Sequence, residues 1–291
     1  MNYDALQTFV TLVEVKNFTK TAEILNMSQP NVSLHIKNLE KEFQTTLIER
    51  SPKFIKITPT GDLLYDRAKQ IITIYEQTKQ EILEHHQIIK GELNIGASFT
   101  IGEYILPAIL IKLQTDFPEL EIHVVIGNTE EIVGLVRLLE VDIGLIEGQT
   151  NVKDISVKAF MNDELFIVAS PEHPLAQKDK VMISDLQNQI WITREDGSGT
   201  REYFNHVISA NGLKLKSLLS ISSNQGIKET LMNGYGLSLL SESVIRRDIR
   251  HGNLTTIPVK DLSFSRTLSF VYSPIMEDKK KVNLFINYLI K

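Results

Sequence analysis

From Asp62 to Lys90 the chain contains neither glycine nor proline, and this segment constrains everything around it. The residues that most readily end a helix are missing. Just upstream, Thr58-Pro59 reads as an N-cap followed by proline at the first helical position. Within the segment Leu64, Ala68, Ile71, Tyr75, Thr78, Ile82, His85 and Ile89 recur at spacings of 4 and 3, a heptad seam. About 30 residues at a rise of 1.5 Å make a rod of roughly 45 Å. So narrow a stripe on so long a helix is best covered by a second copy of itself; packing within the same chain is the alternative. His85-His86 is not a metal pair, because adjacent helical positions point apart and no matching ligands are visible. The rod divides a chain of 291 residues, long enough for two or three domains, into a short front and a long back of different texture.

The front is helical. Leu6, Phe9, Val10 and Val13 recur at helical spacing between Tyr3 and Val15. Asn17-Phe18-Thr19 breaks that run, and Thr19 reads as the N-cap of a short second helix from Lys20 to Leu25. After a turn at Asn26-Met27, Ser28 caps a third helix in which Pro30 falls in the first turn, where a missing N–H costs nothing. Val32, Ile36, Leu39 and Phe43 form its buried stripe, leaving Gln29, Asn31, Ser33, His35 and Lys37 outside. Two short helices joined by a tight turn, the second opening on amides and hydroxyls, describe a helix-turn-helix. Gln and Asn pair bidentately with adenine, and Ser, His and Lys reach other base edges or phosphates. Periodicity alone leaves this level with three helices of an ordinary bundle. Charge does not decide it: residues 1–60 carry +1 in a chain of net −5, and the clearest basic stretch is Arg50, Lys53 and Lys56.

Motifs do decide it. Thr21-Ala22-Glu23, Ser28-Gln29-Pro30-Asn31-Val32-Ser33, Ile36, Leu39-Glu40, Leu47-Ile48-Glu49-Arg50 and Ile57-Thr58-Pro59-Thr60-Gly61 follow in the order found in LysR-type regulators. The front thus resembles their winged helix-turn-helix. That resemblance implies a DNA-binding domain over 1–58, with Thr19, Ser28, Gln29, Asn31, Ser33, His35 and Lys37 toward the major groove and Arg50 and Lys53 on the wing. It also implies a linker and dimerisation helix over 59–90, with Leu64, Ala68, Ile71, Tyr75 and Ile82 in the dimer seam. Three positions depart from the family: Leu34 stands where a basic residue is usual, Gln44 where Gly is, and Ile48 where Phe is. The first removes a DNA contact; the other two are expected to alter packing only.

The back alternates strands and helices. Glu92 to Gly96, Glu121 to Ile126 and Val141 to Ile146 read as strands, with helices from Ile105 to Phe117 and Ile132 to Leu139. That βαβαβ pattern predicts a parallel sheet covered on both faces. A second set begins at Leu165 to Ala169 and runs through Trp191-Ile192, Leu218 to Ser222 and Leu237 to Leu240, with a final helix from Lys280 to Ile290 packing on the first set. The resemblance therefore covers the whole chain. It implies an α/β effector-binding domain over 91–291, built as two Rossmann-like subdomains of periplasmic-binding-protein type, about 91–161 with 269–291 and about 162–268.

In such folds ligands sit beyond the carboxyl ends of the strands. Three loops qualify: Ala97-Ser98-Phe99-Thr100, Gly127-Asn128-Thr129 and Asp196-Gly197-Ser198-Gly199-Thr200-Arg201. In the last, exposed amides at a helix start join a hydroxyl and a guanidinium, a cradle for an anion, although a plain turn before a helix is the alternative. A Walker motif is excluded, since its lysine is missing. The resemblance, closest to the sulfur-assimilation and carbon-fixation branches, assigns Ser98, Thr100, Asn128 and Thr200 to the effector pocket and brings Glu147 near it. Arg201 with Glu147 would favour a zwitterion; paired with each other, they would leave only the amides for an anion.

Other functions find no support. With no cysteine there is neither a disulfide framework nor a thiolate zinc finger. No nucleophile elbow, metal triad or dinucleotide glycine pattern is present, so neither an enzyme nor a cofactor is expected. The apolar stretch from Tyr104 to Leu113 is too short to span a membrane, and Met1 to Ala5 lacks a secretory pattern. The expectation is a cytoplasmic regulator, most often an activator in this family, acting as a homodimer or homotetramer on promoter DNA with RNA polymerase and a small-molecule effector.

Overall fold

Phe9, wholly buried, sits in a core shared by four helices and a small hairpin. The computed structural model describes residues 2–50, 55–83, 90–148, 150 and 152–290, with 50 and 80–83 by backbone alone, and divides into units Met1–Ile88 and Ile89–Lys291. In the first unit α1 (Tyr3–Val15) is capped by Asn2, and Lys16 closes it in the left-handed region. Helix α2 (Phe18–Ile24) is capped by Asn17, whose side chain accepts from Lys20 N at 3.0 Å. Thr19 therefore lies within the first turn rather than at the cap. Asn17 holds the extended backbone a cap requires, and its amide oxygen reaches the orphan N–H.

Ser28 caps α3 (Gln29–Glu42), with Pro30 in its first turn. Val32, Ile36 and Leu39 are buried, but α3 stops at Glu42 and Phe43 turns out to solvent, 42% exposed. Gln44 then takes φ 51°, so the residue standing at a position where the family has Gly carries backbone strain, not merely altered packing. Strands β1 (Ile48–Arg50) and β2 (Ile55–Ile57) pair antiparallel, and Glu40 ties α3 to them by accepting from Leu47 N and Ile48 N at 2.9 and 3.2 Å. Helix α4 (Pro59–Leu83) starts where expected. Thr58 Oγ1 accepts from Gly61 N at 3.0 Å and donates to Thr46 O at 2.7 Å, and a Cβ on Gly61 would stand 2.3 Å from Leu47 O.

The front of the heptad seam is occupied within the chain. Ala68 is fully buried in the first unit's core, and Leu64 and Ile71 pack against it. Tyr75 is 49% exposed, with its ring 4.5 Å from that of Tyr3. The Ile82 side chain, Lys53, and the His85-His86 and Ile89 positions lie outside the described residues.

The second unit opens with β3 (Gly91–Ser98), followed by a π turn (Ile101–Ile105), α5 (Leu106–Asp116), β4 (Leu120–Gly127), α6 (Thr129–Arg137) and β5 (Ile143–Glu147). β3 lies between β4 and β5, parallel to both. Then come β6 (Ser156–Ala169), β7 (Ile190–Thr193), α7 (Gly199–Ala210), β8 (Ser217–Ser220), α8 (Asn224–Met232), β9 (Ser238–Ser241), α9 (Glu242–Arg250), β10 (Thr255–Thr256), β11 (Phe264–Tyr272) and α10 (Lys280–Ile290). The main sheet runs β10-β6-β11-β5-β3-β4, with β9 also on β6, and is mixed rather than purely parallel. Its long strands β6 and β11 pair antiparallel through both subdomains, with a register shift between Leu268 and Ser269. Strand β11 is unanticipated by the sequence reading. β7 and β8 form a separate parallel pair, where Trp191 packs on Phe204. Helix α10 returns to α5, with Tyr288 edge-on to Phe117.

Candidate functional site

In the first unit α3 presents one exposed strip. At about 100° per residue, Gln29, Ser33 and Lys37 fall within roughly 80° of one another, with Leu34 beside them. Gln29 and Lys37 are exposed, Leu34 is 52% exposed, and Gln29 Nε2 donates to Ser33 Oγ at 3.1 Å. Asn31, also exposed, and His35 fall on the other flank. His35 Nδ1 is 2.8 Å from Thr8 Oγ1, an α1–α3 contact that binds one edge of the ring inside the unit. Ser28 is spent on capping and Thr19 is exposed at the start of α2. Arg50 belongs to β1. Gln29, Asn31, Ser33, His35 and Lys37 alternate with period 2 on an element of period 3.6, so the set spreads over both flanks.

The second unit gathers the carboxyl ends of its strands into a cleft. Ser98 ends β3, Thr100 follows it, Glu147 ends β5, and Thr200 lies in the first turn of α7; all four are 2% exposed or less. Glu147 accepts from Thr100 N at 3.1 Å, from Thr200 Oγ1 at 2.8 Å and from Arg266 Nη1 at 2.7 Å. Arg266, from β11, also donates to Asp163 Oδ2 of β6 at 2.9 Å, and Ser241 Oγ donates to Asp163 Oδ1 at 2.6 Å. Burial pushes the Glu147 carboxyl up, but Arg266 and the two threonine donors outweigh it and hold it near about 2. Both Glu147 oxygens are thus engaged internally, Oε1 by Thr100 N and Oε2 by Thr200 and Arg266, and its cationic partner is Arg266, not Arg201. Arg201 instead donates to Arg194 O and Asn205 Oδ1, each at 3.0 Å, with Asp196 at 3.5 Å.

The Gly-Ser-Gly loop seats against this network. A Cβ on Gly199 would stand 2.4 Å from Glu147 O, so α7 starts in backbone contact with the end of β5. Gly197 has φ 85° and accepts from Glu130 N at 3.1 Å. Asn128 and Glu131 form a capping box on α6, and Thr129 Oγ1 has no partner among the described residues. A pocket of about 380 Å³ opens here, lined by Thr129, Glu130, Gly197, Ser198, Arg201 and Asn205 among others.

Four buried residues escaped the sequence reading: Asp163, Arg194, Asn224 and Arg266. Arg194, 1% exposed, forms a two-pronged pair with Glu195, both contacts 2.8 Å, and lies over the Phe99 ring at 4.3 Å. Its signal was available, since Arg194 directly follows the apolar run of β7 at the carboxyl end where ligands bind.

The capped helix pair with its wing, and the two-part α/β unit with its polar cleft, define a DNA-binding regulator carrying a ligand-binding domain. Residues 3–62 match the family model for the bacterial regulatory helix-turn-helix protein, lysR family, and residues 86–291 match that for the LysR substrate binding domain. The chain belongs to the LysR family of transcriptional regulators. It is 57% identical to the HTH-type transcriptional regulator CysL of Bacillus subtilis (strain 168), over 99% of this chain and 97% of that one. A full-length OxyR variant from Pseudomonas aeruginosa shares the fold with TM-score 0.76 at 21% identity, covering 99% of this chain and 94% of that one. The Synechocystis PCC6803 CcmR regulatory domain, in complex with 2-PG, has TM-score 0.65 at 24% identity, over 69% of this chain and 96% of that one. Family members are transcriptional regulators rather than enzymes. Among the described residues no helix is long and apolar enough to cross a membrane.

Proposed function

We propose that the chain acts in the cytoplasm as a homodimer or homotetramer that reads promoter DNA through Gln29, Ser33 and Lys37. Asn31, Arg50 and Lys53 assist at the flank and on the wing. A small metabolite in the cleft between the subdomains then controls its action, as an activator, on RNA polymerase. The observation that carries this reading is the strip on α3. Gln29 and Lys37 stand out to solvent and Ser33 is half-buried between them, on a helix anchored by the adjoining stripe of Val32, Ile36 and Leu39, all 1% exposed or less. An amide, a hydroxyl and an ammonium on a helix held that firmly suit base edges and phosphates.

On the sensor side, Thr129, Ser198 and Arg201 line the pocket, we assign Ser98, Phe99, Thr100, Asn128 and Thr200 to the same effector site, and Glu147 positions Thr100 and Thr200 from within. The complex of CcmR with 2-PG supports a small ligand on this fold. With both Glu147 oxygens already engaged, the zwitterion reading loses its ammonium acceptor. The test is binding of the full chain to duplexes selected from a random library, with and without small anionic metabolites. The reading expects selected duplexes to bind and their affinity or footprint to change with ligand; selection that enriches nothing overturns it.

A further inference from the structure

Two arginines are buried beside the cleft, and their circumstances differ. Arg266 is saturated: Glu147, Asp163 and Thr200 accept from it at 2.7 to 2.9 Å. Arg194 has a single paired carboxylate among the described residues, that of Glu195, its own neighbour in the chain. The two partners are unequally buried, with the Arg194 side chain 1% exposed and that of Glu195 24%. The Arg194 backbone is fixed, since its carbonyl accepts from Arg201 Nη1 at 3.0 Å and Ser220 Oγ at 3.2 Å. The guanidinium is thus a rigid buried cation whose counter-charge sits on a more solvated side chain.

One residue with an unsatisfied polar atom touches it, and a second stands next to a residue that does. Asn224, 1% exposed at the first position of α8, has its Oδ1 3.5 Å from Arg194 Nη1, while its Nδ2 has no partner among the described residues. Ser98, 1% exposed, likewise has an unpartnered Oγ. Ser98 precedes Phe99, whose ring stacks on the guanidinium. Buried donors without partners are costly, and a native site that retains them is built for something that supplies acceptors. An amide N–H₂, a hydroxyl and a guanidinium edge all donate to an oxyanion.

We propose that Arg194 is the anchor for the charged group of the effector, a small carboxylate or oxyanion, and that Glu195 is an internal competitor holding the guanidinium fork until that anion displaces it. This rests on the reading of the second unit as an effector sensor and names the chemistry of its ligand. Exchange of one carboxylate for another anion keeps Arg194 neutralised throughout, and the displaced Glu195 has solvent at hand, so no buried charge is left alone. Burial pushes the Glu195 carboxyl up, but Arg194 and the side chain of Asn128, the cap of α6, outweigh it and hold it low, so Glu195 links the end of β7 electrostatically to the first subdomain. Its release loosens that joint while Phe99 remains stacked on Arg194 from the same subdomain. Occupancy thereby reaches the relative setting of the two subdomains.

The test uses the full chain and inorganic phosphate, sulfate, acetate and 3-phosphoglycerate as probes, followed by calorimetry and by the fluorescence of Trp191, three residues before Arg194. At least one probe should bind the wild type. Glu195→Gln, which removes the competing charge, should bind it at least about tenfold more tightly, and Arg194→Gln at least about tenfold more weakly. Arg194→Lys keeps the charge without the fork and should fall between; it stands in if Arg194→Gln fails to fold. Thr200→Val marks the cleft away from Arg194. A probe lost in Thr200→Val but unchanged in both Arg194→Lys and Glu195→Gln overturns the anchor and leaves the sensor reading intact. No probe binding to wild type or Glu195→Gln also overturns it, while the selected-duplex assay judges the regulatory reading separately.

Discussion

Arg266 donates to Glu147 at 2.7 Å with both side chains 3% exposed or less, joining β11 to the end of β5 beneath the start of α7. A buried pair of this kind is weak evidence of net stability but expensive to break from one side. Arg266→Gln strands both Glu147 and Asp163 and should cost about 3–5 kcal/mol in denaturant unfolding of the second unit. Replacing all three by well-packed neutral residues should cost far less. Equal costs for the single and triple variants would show that the network does not act as a unit.

The same pair predicts a pH dependence. The Glu147 carboxyl is held at about 2 against an ordinary 4.5, so its stabilisation is full above about 4.5 and is lost as pH falls toward 2. Urea midpoints measured across that window should fall for the wild type and fall less for Glu147→Gln. Parallel slopes would assign the acid sensitivity to other groups.

Thr58 locks the base of the wing to the start of α4 through Gly61 N and Thr46 O. Thr58→Ala should cost roughly 1–2 kcal/mol, the upper part of the range for a lost N-cap, and Thr58→Ser much less. Gly61→Ala, with a Cβ forced against Leu47 O, should cost about 1–3 kcal/mol as overpacking. Thermal unfolding checks both, and a neutral Gly61→Ala would mean that the wing shifts freely at its base.

Assembly is best probed beyond Ile71, because Leu64, Ala68 and Ile71 pack against the core of their own unit. A charge at Ile71 would therefore confuse folding with association. Tyr75→Asp combined with Ile82→Asp should give monomers with weak operator binding in sedimentation velocity. An intact dimer would place the interface elsewhere.

Much of this architecture was legible in the residues. The helix starts at Ser28 and Thr58-Pro59, the βαβαβ run from residue 91, and the last helix all carry local signals of capping and period. The losses share one cause: they depend on what the rest of the fold supplies. Phe264–Tyr272 alternates, but Arg266 in its middle reads as a solvent-facing charge until Glu147 and Asp163 arrive from other strands. Glu147 stands at the end of an apolar strand run where the sequence marks it, yet its partner lies 119 positions away in sequence. The cap at Asn17 stands two residues before Thr19, an equally suitable residue type, and only the backbone conformation separates them. His35 reads as a base contact from composition, whereas its geometry with Thr8 is a matter of helix packing.

Helix α3 is proposed to read base sequence through the strip holding Gln29, Ser33 and Lys37. The most direct measurement is the affinity ratio between a selected operator and random duplex, taken across salt concentrations for wild type, Gln29→Ala and Lys37→Ala. A base-edge contact is worth roughly 1–3 kcal/mol of discrimination, so Gln29→Ala should lower the ratio about tenfold or more while leaving random-duplex binding intact. Lys37→Ala should weaken both duplexes together and reduce the salt slope by about 1. A ratio unchanged in Gln29→Ala would contradict this placement of the recognition surface.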